Sequence, residues 1–300
     1  MKKQIPCDFD WLSVHGPNIS DPAVGYAEKE ADELRERILN APNTEEIYTI
    51  TGTKYYFSSN GDDSNDGLSP QTPFKTLEKI ESISFNGGDA ILLERNSIFR
   101  IKNTIEISSQ GITIGSYGVG EKPRIYASPF DYAVSEYWTL TEKENIWKAH
   151  YPYAIHCGAC GMFFDHGKAI GSLWQSGVDA LKKNFDFHHD IENETIYLYF
   201  DKGNPADFYK SIEITYKMHI FLFKSAASQV VIDNLCVKYT GGFPICGGTA
   251  GGATVTNCEM GYTGGLFDGI NKVRFGNAVE FYGNAVNVTV KNNWIYQIFD

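Results

Sequence analysis

The strongest constraint in this sequence is a short motif that recurs along its last third: an apolar residue, a variable residue and an asparagine. Copies of the motif end at Asn234, Asn257 and Asn292, so the steps between them are 23 and 35 residues. Each copy is followed by a second short strand. Repeats of about 20 to 50 residues are typical of solenoids, in which each repeat stacks on the one before. The motif therefore predicts stacked turns of strands over residues 219–300.

The asparagine of each motif has a predicted structural role. Turned inward at a corner, its amide would bond backbone groups in the turns above and below, which the corner otherwise leaves unpaired. The longer second step implies an insertion, residues 264–275, that bulges from the stack.

Short strands separated by Gly, Asn and Pro are also predicted earlier in the chain. The tracts 55–59, 61–67, 73–77, 88–93 and 112–118 contain several of these strands and the turns next to them. These tracts resemble the N-terminal entry of right-handed parallel β-helix proteins, the pectate-lyase-like superfamily of carbohydrate-active proteins. The resemblance covers roughly residues 53–126 and resumes near His219. It implies an all-β, right-handed parallel β-helix (solenoid) that acts on carbohydrate.

The pattern divides the chain into four parts. A leader, 1–52, contains a predicted helix over 26–40 that is expected to cap the open end of the sheets. Residues 53–128 form the entry of the β-helix, 129–218 a β-rich insertion with longer aromatic strands, and 219–300 the repeating rungs. The last rung stops at Asp300 without a closing turn, which predicts further rungs beyond it.

Composition excludes several classes of partner. The net charge of −11 disfavours nucleic acid and anionic membrane surfaces, because both attract Lys and Arg. The oligomeric state stays open. Lys2 and Lys3 are not followed by an apolar segment, so a cytoplasmic protein is expected, or a secreted one whose signal has been removed. The acidic loop after Asn60 does not form a calcium site of the EF-hand kind, because Pro73 stands where a bidentate Glu is required.

The best candidate for chemistry is the rung around Glu280. If Val279 and Phe281 face the core, alternation turns Glu280 outward. Asp300 lies 20 residues on, and on neighbouring strands of one sheet the two carboxylates would be about 5 Å apart, as in a retaining glycosidase. Asp268 offers a third catalytic carboxylate on the bulging insertion.

Four further residues are candidate substrate contacts. Lys272 and Arg274 would bind an acidic sugar or stabilise an enolate-like intermediate, and Tyr282 and Trp174 would contact the sugar ring. No metal ligand set and no cofactor are expected, apart from calcium if the protein is a lyase.

Three functions stay open from the sequence. The first is a glycoside hydrolase that cleaves an oligo- or polysaccharide through paired carboxylates. The second is a polysaccharide lyase that acts on a uronate-containing glycan by β-elimination. The third is a non-catalytic glycan-binding or structural β-helix. The paired-Asp and Gly-His-Gly motifs of the polygalacturonase branch are absent, so no catalytic residue carries over from that family.

Overall fold

The structure, a computed structural model, describes residues 22–153, 158–215, 219–248, 251–268, 273–283 and 285–299. Its helices are α1 (Pro22–Leu39) and α2 (Thr44–Ile47), with 3₁₀ helices at Leu77–Ser82, Ser135–Tyr137, Val178–Ala180 and Pro205–Asp207. Among the described residues no helix is long and apolar enough to cross a membrane.

Most of the regular structure is β. In chain order the strands are β1 (Lys54–Phe57), β2 (Ala90–Glu94), β3 (Ile98–Arg100), β4 (Ile105–Ile107), β5 (Thr113–Tyr117), β6 (Arg124–Tyr126), β7 (Thr139–Leu140), β8 (Ile146–His150), β9 (Gly161–Phe164), β10 (Ala169–Ile170), β11 (Ser172–Leu173), β12 (Asp186–Asp190), β13 (Thr195–Tyr199), β14 (Ile212–Thr215), β15 (His219–Phe223), β16 (Val231–Asp233), β17 (Cys236–Lys238), β18 (Phe243–Gly247), β19 (Thr254–Thr256), β20 (Glu259–Thr263), β21 (Leu266–Asp268), β22 (Val273–Phe275), β23 (Val279–Phe281), β24 (Thr289–Lys291) and β25 (Trp294–Ile298). The predicted all-β class is confirmed.

Three of the sheets are parallel. Sheet A has the order β1-β2-β5-β16-β19-β24, sheet B has β3-β6-β17-β20-β25, and sheet C has β4-β15-β18-β23. From β16 onward the chain visits A, B and C in turn and then returns to A at β19. The strands β16, β17 and β18 therefore have β19, β20 and β23 as their hydrogen-bonded neighbours in sheets A, B and C.

The parallel register stacks like residues on one another. Ile232 pairs with Ile114 on one side and Val255 on the other, and Val255 pairs with Val290. The first three of these belong to one buried core that the three sheets enclose. Burying each such side chain contributes about 1.5–3 kcal/mol relative to leaving it in water. The repeated apolar position of the motif is therefore the stacking position of the core.

The asparagines of the motif have a different role from the one predicted. Asn234, Asn257 and Asn292 have φ values of 61°, 52° and 52°, a left-handed conformation that asparagine tolerates better than most residues. The Asn234 amide bonds the carbonyls of Ala41 and Pro42 in the leader and the side chain of Ser116 on β5. The Asn257 amide bonds the Asp233 carboxylate at 2.8 Å, so on the neighbouring strands both amides bond side chains instead of the predicted backbone groups. Asn293, the residue after the third motif, makes the backbone bonds that the motif asparagines were expected to make. Its amide accepts from Cys258 N at 2.8 Å and donates to Val255 O at 2.9 Å.

The leader packs on the side of the parallel sheets and not over their end. Thr44 Oγ1 accepts from Ser116 N at 2.9 Å and donates to Asp233 Oδ2 at 2.7 Å, so it lies against sheet A. The C-terminal part of α1 likewise lies beside sheet B, with Arg35 5.7 Å from the Trp294 ring centroid, and not at the end position expected of a capping helix. That position is taken by the 3₁₀ helix Leu77–Ser82, whose Leu77 and Ile80 are buried in the core beside β4.

Strands β7–β14 form two further sheets, inserted between β6 and β15. Sheet D has the order β7-β8-β13-β12-β11, and sheet E has β10-β9-β14. They share a separate apolar core, which includes Tyr151, Phe187 and Ile196. Arg100 of sheet B forms a bidentate ion pair with Glu213 of sheet E at 2.6 and 2.7 Å. This pair ties the insertion to the parallel sheets.

His189 is a buried titratable group in the insertion core. Ala159 N donates to its Nδ1 at 2.8 Å, and its Nε2 faces the Tyr151 carbonyl at 3.3 Å, which favours the neutral Nε2–H tautomer. Burial, with a contribution from His188, lowers the pKa of His189 to about 4. In the unfolded chain the pKa returns to about 6.5.

Because the folded pKa is depressed, the unfolded chain binds more protons between pH 6.5 and pH 4. The free energy of unfolding should therefore fall as the pH drops through this window, by about 3 kcal/mol for this residue. We expect His189→Gln to remove this part of the pH dependence in urea titrations at pH 7, 5.5 and 4. His188→Gln, on the partly exposed side of the same strand, is the matched control. An equal pH dependence in the wild type and His189→Gln would contradict the assignment.

Candidate active-site groove

Glu280 lies on the outer face of sheet C. Val279 and Phe281 pack against the core, so Glu280 points outward, as alternation predicts. In the parallel register it stands beside Cys246 of β18. Its carboxylate accepts a hydrogen bond from the Asn277 amide.

The predicted pairing of Glu280 with Asp300 falls partly outside the described residues. Asp300 itself lies outside the described residues, but the strand before it, β25, belongs to sheet B, whereas Glu280 is on sheet C. Between them the chain forms β24 of sheet A, so the step of 20 residues leads to another sheet. The pairing of the two carboxylates therefore stays a prediction.

The other predicted site residues are spread over different elements. Asp268 ends β21, which forms a hairpin with β22 by pairing its backbone to Val273; its side chain and Lys272 lie outside the described residues. Arg274 is exposed, donates to Gly265 O at 2.8 Å and lies 5.7 Å from the Phe267 ring centroid. Tyr282 is exposed after β23. Trp174 follows β11 in the insertion and belongs to sheet D.

The structure instead forms a groove over the outer face of sheet B, here called the sheet-B groove. Its volume is about 780 Å³. The floor consists of β6, β17, β20 and β25, one wall is the last turn of α1, and the opposite wall is the turn after β9. The lining residues include Arg35, Lys122, Arg124, Asp165, His166, Lys238, Glu259, Trp294 and Tyr296.

An ion pair lies on the floor of the groove. Lys238 Nζ is 2.6 Å from Glu259 Oε1, with side-chain exposures of only 12% and 13%. Tyr296 Oη donates to the same carboxylate oxygen at 2.7 Å. Burial alone would raise the pKa of Glu259, but the Lys238 ammonium and these hydrogen bonds hold it below its ordinary value. Glu259 is therefore an ionised carboxylate in a partly desolvated site.

Glycine at position 261 makes room for this pair. Gly261 stands between Lys238 and Tyr296 in the register of sheet B. A Cβ at 261 would lie 2.6 Å from the Tyr296 ring. Lys238 Nζ lies 5.5 Å from the centroid of that ring, where a cation is favoured. Because Gly261 has no side chain, the Lys238 ammonium on β17 can contact the Glu259 carboxylate on β20 and the Tyr296 ring on β25.

An aromatic stack fixes the insertion beside the groove. Tyr239 and Tyr262 of sheet B are stacked with centroids 5.6 Å apart, and Phe163 of sheet E packs 5.0 Å from Tyr262. Tyr262 Oη donates to the His166 carbonyl at 2.6 Å, and His166 Nδ1 lies 3.2 Å from Tyr239 Oη. The wall that carries His166 and Asp165 is thereby held at a set distance from the floor.

Burial also decides the charge of the other groups in the groove. It lowers the pKa of His166, an effect that Lys238 reinforces, so the imidazole is neutral at pH 7. Burial would raise the pKa of Asp165, but Lys210 N, Ser211 N and Lys168 bind the carboxylate and lower it. The site thus combines the ionised carboxylates of Glu259 and Asp165 with a neutral imidazole and several phenols, and Glu121 adds a third carboxyl group to its lining. Among the residues described, no group of three or more His, Cys, Asp or Glu could hold a metal ion.

Sequence reasoning missed this groove because its residues come from seven separate segments of the chain. One signal for it is nevertheless in the repeat. The second strand of each rung places polar or aromatic residues at alternate positions, as in Cys236-Val237-Lys238 and Trp294-Ile295-Tyr296. Alternation of this kind indicates that every second side chain of the strand points outward, and equivalent positions of paired strands then form an outward-facing column.

The chain is similar in sequence to one known glycan-processing protein over a short stretch. The chain matches no protein-family model. It is 42% identical over 78 residues to a lacto-N-biosidase of Bifidobacterium longum subsp. longum, a match that covers 23% of this chain and 5% of that protein. The chain thus spans only a small part of this curated relative.

Two solved structures match this chain over more than four fifths of its length. A complex of XylC with xylose has a TM-score of 0.55 at 12% identity, covering 82% of this chain and 54% of that one. A GH136 lacto-N-biosidase from Eubacterium ramulus has a TM-score of 0.44 at 18% identity, covering 86% of this chain and 36% of that one. The first likeness shows a shared fold.

The buried pair gives a direct test of the groove floor. Glu259→Gln leaves the Lys238 ammonium buried without a charged partner, so we expect the free energy of unfolding to fall by about 3–5 kcal/mol. The double variant Lys238→Met/Glu259→Gln should recover most of this loss, because no charge then stays buried. Tyr296→Phe, which removes one hydrogen bond, should cost about 1 kcal/mol. Urea unfolding measures all three. A Glu259→Gln cost below about 1 kcal/mol would place the pair in solvent.

Proposed function

We propose that the protein is a glycoside hydrolase of the right-handed parallel β-helix class that binds an oligosaccharide in the sheet-B groove. The observation that carries this proposal is the ionised Glu259 on the groove floor, next to the aromatic side chains Tyr296 and Trp294. The cyclic order of sheets A, B and C supports one continuous coil. Parallel crossover connections are almost always right-handed, which supports the handedness.

The sequence likeness supports a hydrolase. The Bifidobacterium longum relative is named a lacto-N-biosidase, which is a glycosidase, and it is 42% identical to this chain where the two align. We therefore propose a glycan that carries a lacto-N-biose unit as the substrate. The aligned part is 5% of that relative. The proposal that this chain binds such a glycan therefore depends on the groove as much as on the likeness.

The ionised state of Glu259 supports a role for it as the negatively charged group of the reaction. Glycoside cleavage passes through an oxocarbenium-like transition state, and an ionised carboxylate below the sugar ring stabilises its positive charge. Tyr296 orients this carboxylate through its hydrogen bond. Trp294, in the same outward column, presents an indole ring to the sugar.

Hydrolysis also needs a carboxylic acid that protonates the leaving oxygen. Asp165 does not suit this role, because its hydrogen bonds keep it ionised. Of the carboxylates predicted from the sequence, Asp300 fits best, since it follows β25, the strand that brings Trp294 and Tyr296 to the groove. Glu280 and Asp268 stay as proposed alternatives on the side of sheet C.

A polysaccharide lyase is the second candidate, and one observation favours it. Lys122 lines the groove, and burial lowers its pKa to about 8, towards the range of a general base. A lyase would abstract the proton α to a uronate carboxylate and release an unsaturated product. Its activity would be expected to need calcium, and a chelator would abolish it.

The hydrolase proposal predicts release of the aglycone from a chromogenic β-glycoside of lacto-N-biose. Tyr296→Phe should lower kcat, and Glu259→Gln should lower it by about 10²–10³-fold, because the transition-state charge loses its partner. Rates are corrected for the folded fraction, measured by near-ultraviolet circular dichroism. Glu280→Gln is the matched carboxylate control on sheet C.

Two results would overturn this assignment. If Glu280→Gln abolishes activity and Glu259→Gln does not, the active site lies on sheet C. If products absorb in the ultraviolet and a chelator stops their formation, the enzyme is a lyase.

A further inference from the structure

The insertion carries a second concave surface, here called the aromatic cleft. It is lined by Phe130, Tyr132, Tyr137, Tyr153, Glu136 and His150 and has a volume of about 400 Å³. These residues come from the segment before β7 and from the end of β8 and the residues after it. The cleft shares no lining residue with the sheet-B groove.

Large aromatic rings are exposed at this cleft. Phe130 is 37% exposed and Tyr137 is 45% exposed. Phe130 and Tyr153 lie with ring centroids 5.8 Å apart and planes inclined by 36°, and Tyr132 packs 5.8 Å from Tyr137. Single exposed apolar residues are ordinary on a protein surface, but several aromatic rings around one concavity mark a binding site.

Hydrogen bonds beside the cleft and across it hold the cleft in shape. Ser135 Oγ donates to Asp207 Oδ1 at 2.6 Å, and Asn204 Nδ2 donates to Ser135 O at 2.9 Å, which fixes the 3₁₀ turn that carries Tyr137. Tyr132 Oη donates to the His150 carbonyl at 3.0 Å and joins the two sides. A ligand therefore meets preformed walls and loses little affinity to ordering them.

The chemistry of the walls fits a sugar ring. A pyranose has a face of C–H groups that stacks on aromatic rings and an edge of hydroxyls that needs hydrogen-bond partners. Phe130 and Tyr137 offer the faces, and Glu136 and His150 offer polar groups at the rim. A cation is a poorer fit, because Lys102 Nζ already lies 5.4 Å from the Phe130 centroid.

We propose that the aromatic cleft is a second, non-catalytic sugar-binding site for a neutral pyranose of an oligosaccharide. It lies on the inserted sheets, apart from the groove on sheet B. Binding at two sites on one protein raises the effective concentration of a long glycan at each of them. The cleft would thus retain polymeric or surface-bound glycans near the groove, with no part in bond cleavage.

The test measures binding of lacto-N-biose by isothermal titration in a Trp294→Ala background, which weakens the groove. We expect Phe130→Ala and Tyr137→Ala each to weaken the remaining binding at least tenfold, and Glu136→Gln to weaken it less. Leu140→Ala, at a residue of β7 that is 53% exposed, is the matched control and should bind unchanged. Thermal unfolding of each variant checks that the insertion stays folded.

Activity separates this proposal from the hydrolase proposal. In the Trp294 wild-type background, Phe130→Ala and Tyr137→Ala should hydrolyse the small chromogenic glycoside at the parental rate. The cleft proposal stands if these variants lose binding even when the protein proves inactive. It is overturned if the variants bind lacto-N-biose as well as their parent. It is also overturned if the cleft binds tetramethylammonium but no sugar, which would make it an aromatic cage for cations.

Discussion

The corner between sheets A and B is the constraint on which the rest of the structure depends. At Asn234, Asn257 and Asn292 the chain adopts a left-handed conformation, and each sheet B strand begins two residues later. Because this corner has the same length in successive turns, the parallel register is kept from one turn to the next. If the corner had one residue more or one fewer, the outward-facing side chains of sheet B would point into the core instead. The columns that form the groove floor exist only in this register.

The two walls of the groove are fastened to the same framework. The leader is held by Arg95, which donates to Ala41 O at 2.6 Å and Asn43 Oδ1 at 2.8 Å, and by the bonds of Thr44 to sheet A. The insertion is held by the ion pair of Arg100 and by the aromatic stack on Tyr262. The N-terminal leader and the insertion from the middle of the chain therefore meet over one sheet. The groove is a product of this docking, and no single element contains it.

The sequence predicts the scaffold better than the site, for physical reasons. Stacking needs a local, repeated signal, and the motif that ends at Asn234 and Asn257 supplies it. The bonds of an individual side chain depend on what docks outside the three parallel sheets. The Asn234 amide therefore bonds leader carbonyls and the Ser116 side chain, whereas the backbone bonds expected of the motif are made by Asn293. The pairing of Glu280 with Asp300 stays a prediction, because Asp300 lies outside the described residues. The boundaries of the four predicted parts of the chain stay predictions.

The most direct test of the sheet-B groove as the sugar-binding site is a crystal structure of the protein with lacto-N-biose bound. The proposal predicts a sugar ring over Trp294 and Tyr296, within hydrogen-bonding distance of Glu259. A second molecule in the aromatic cleft would be compatible with this result. Sugar density only on the outer face of sheet C beside Glu280, with the sheet-B groove empty, would contradict it.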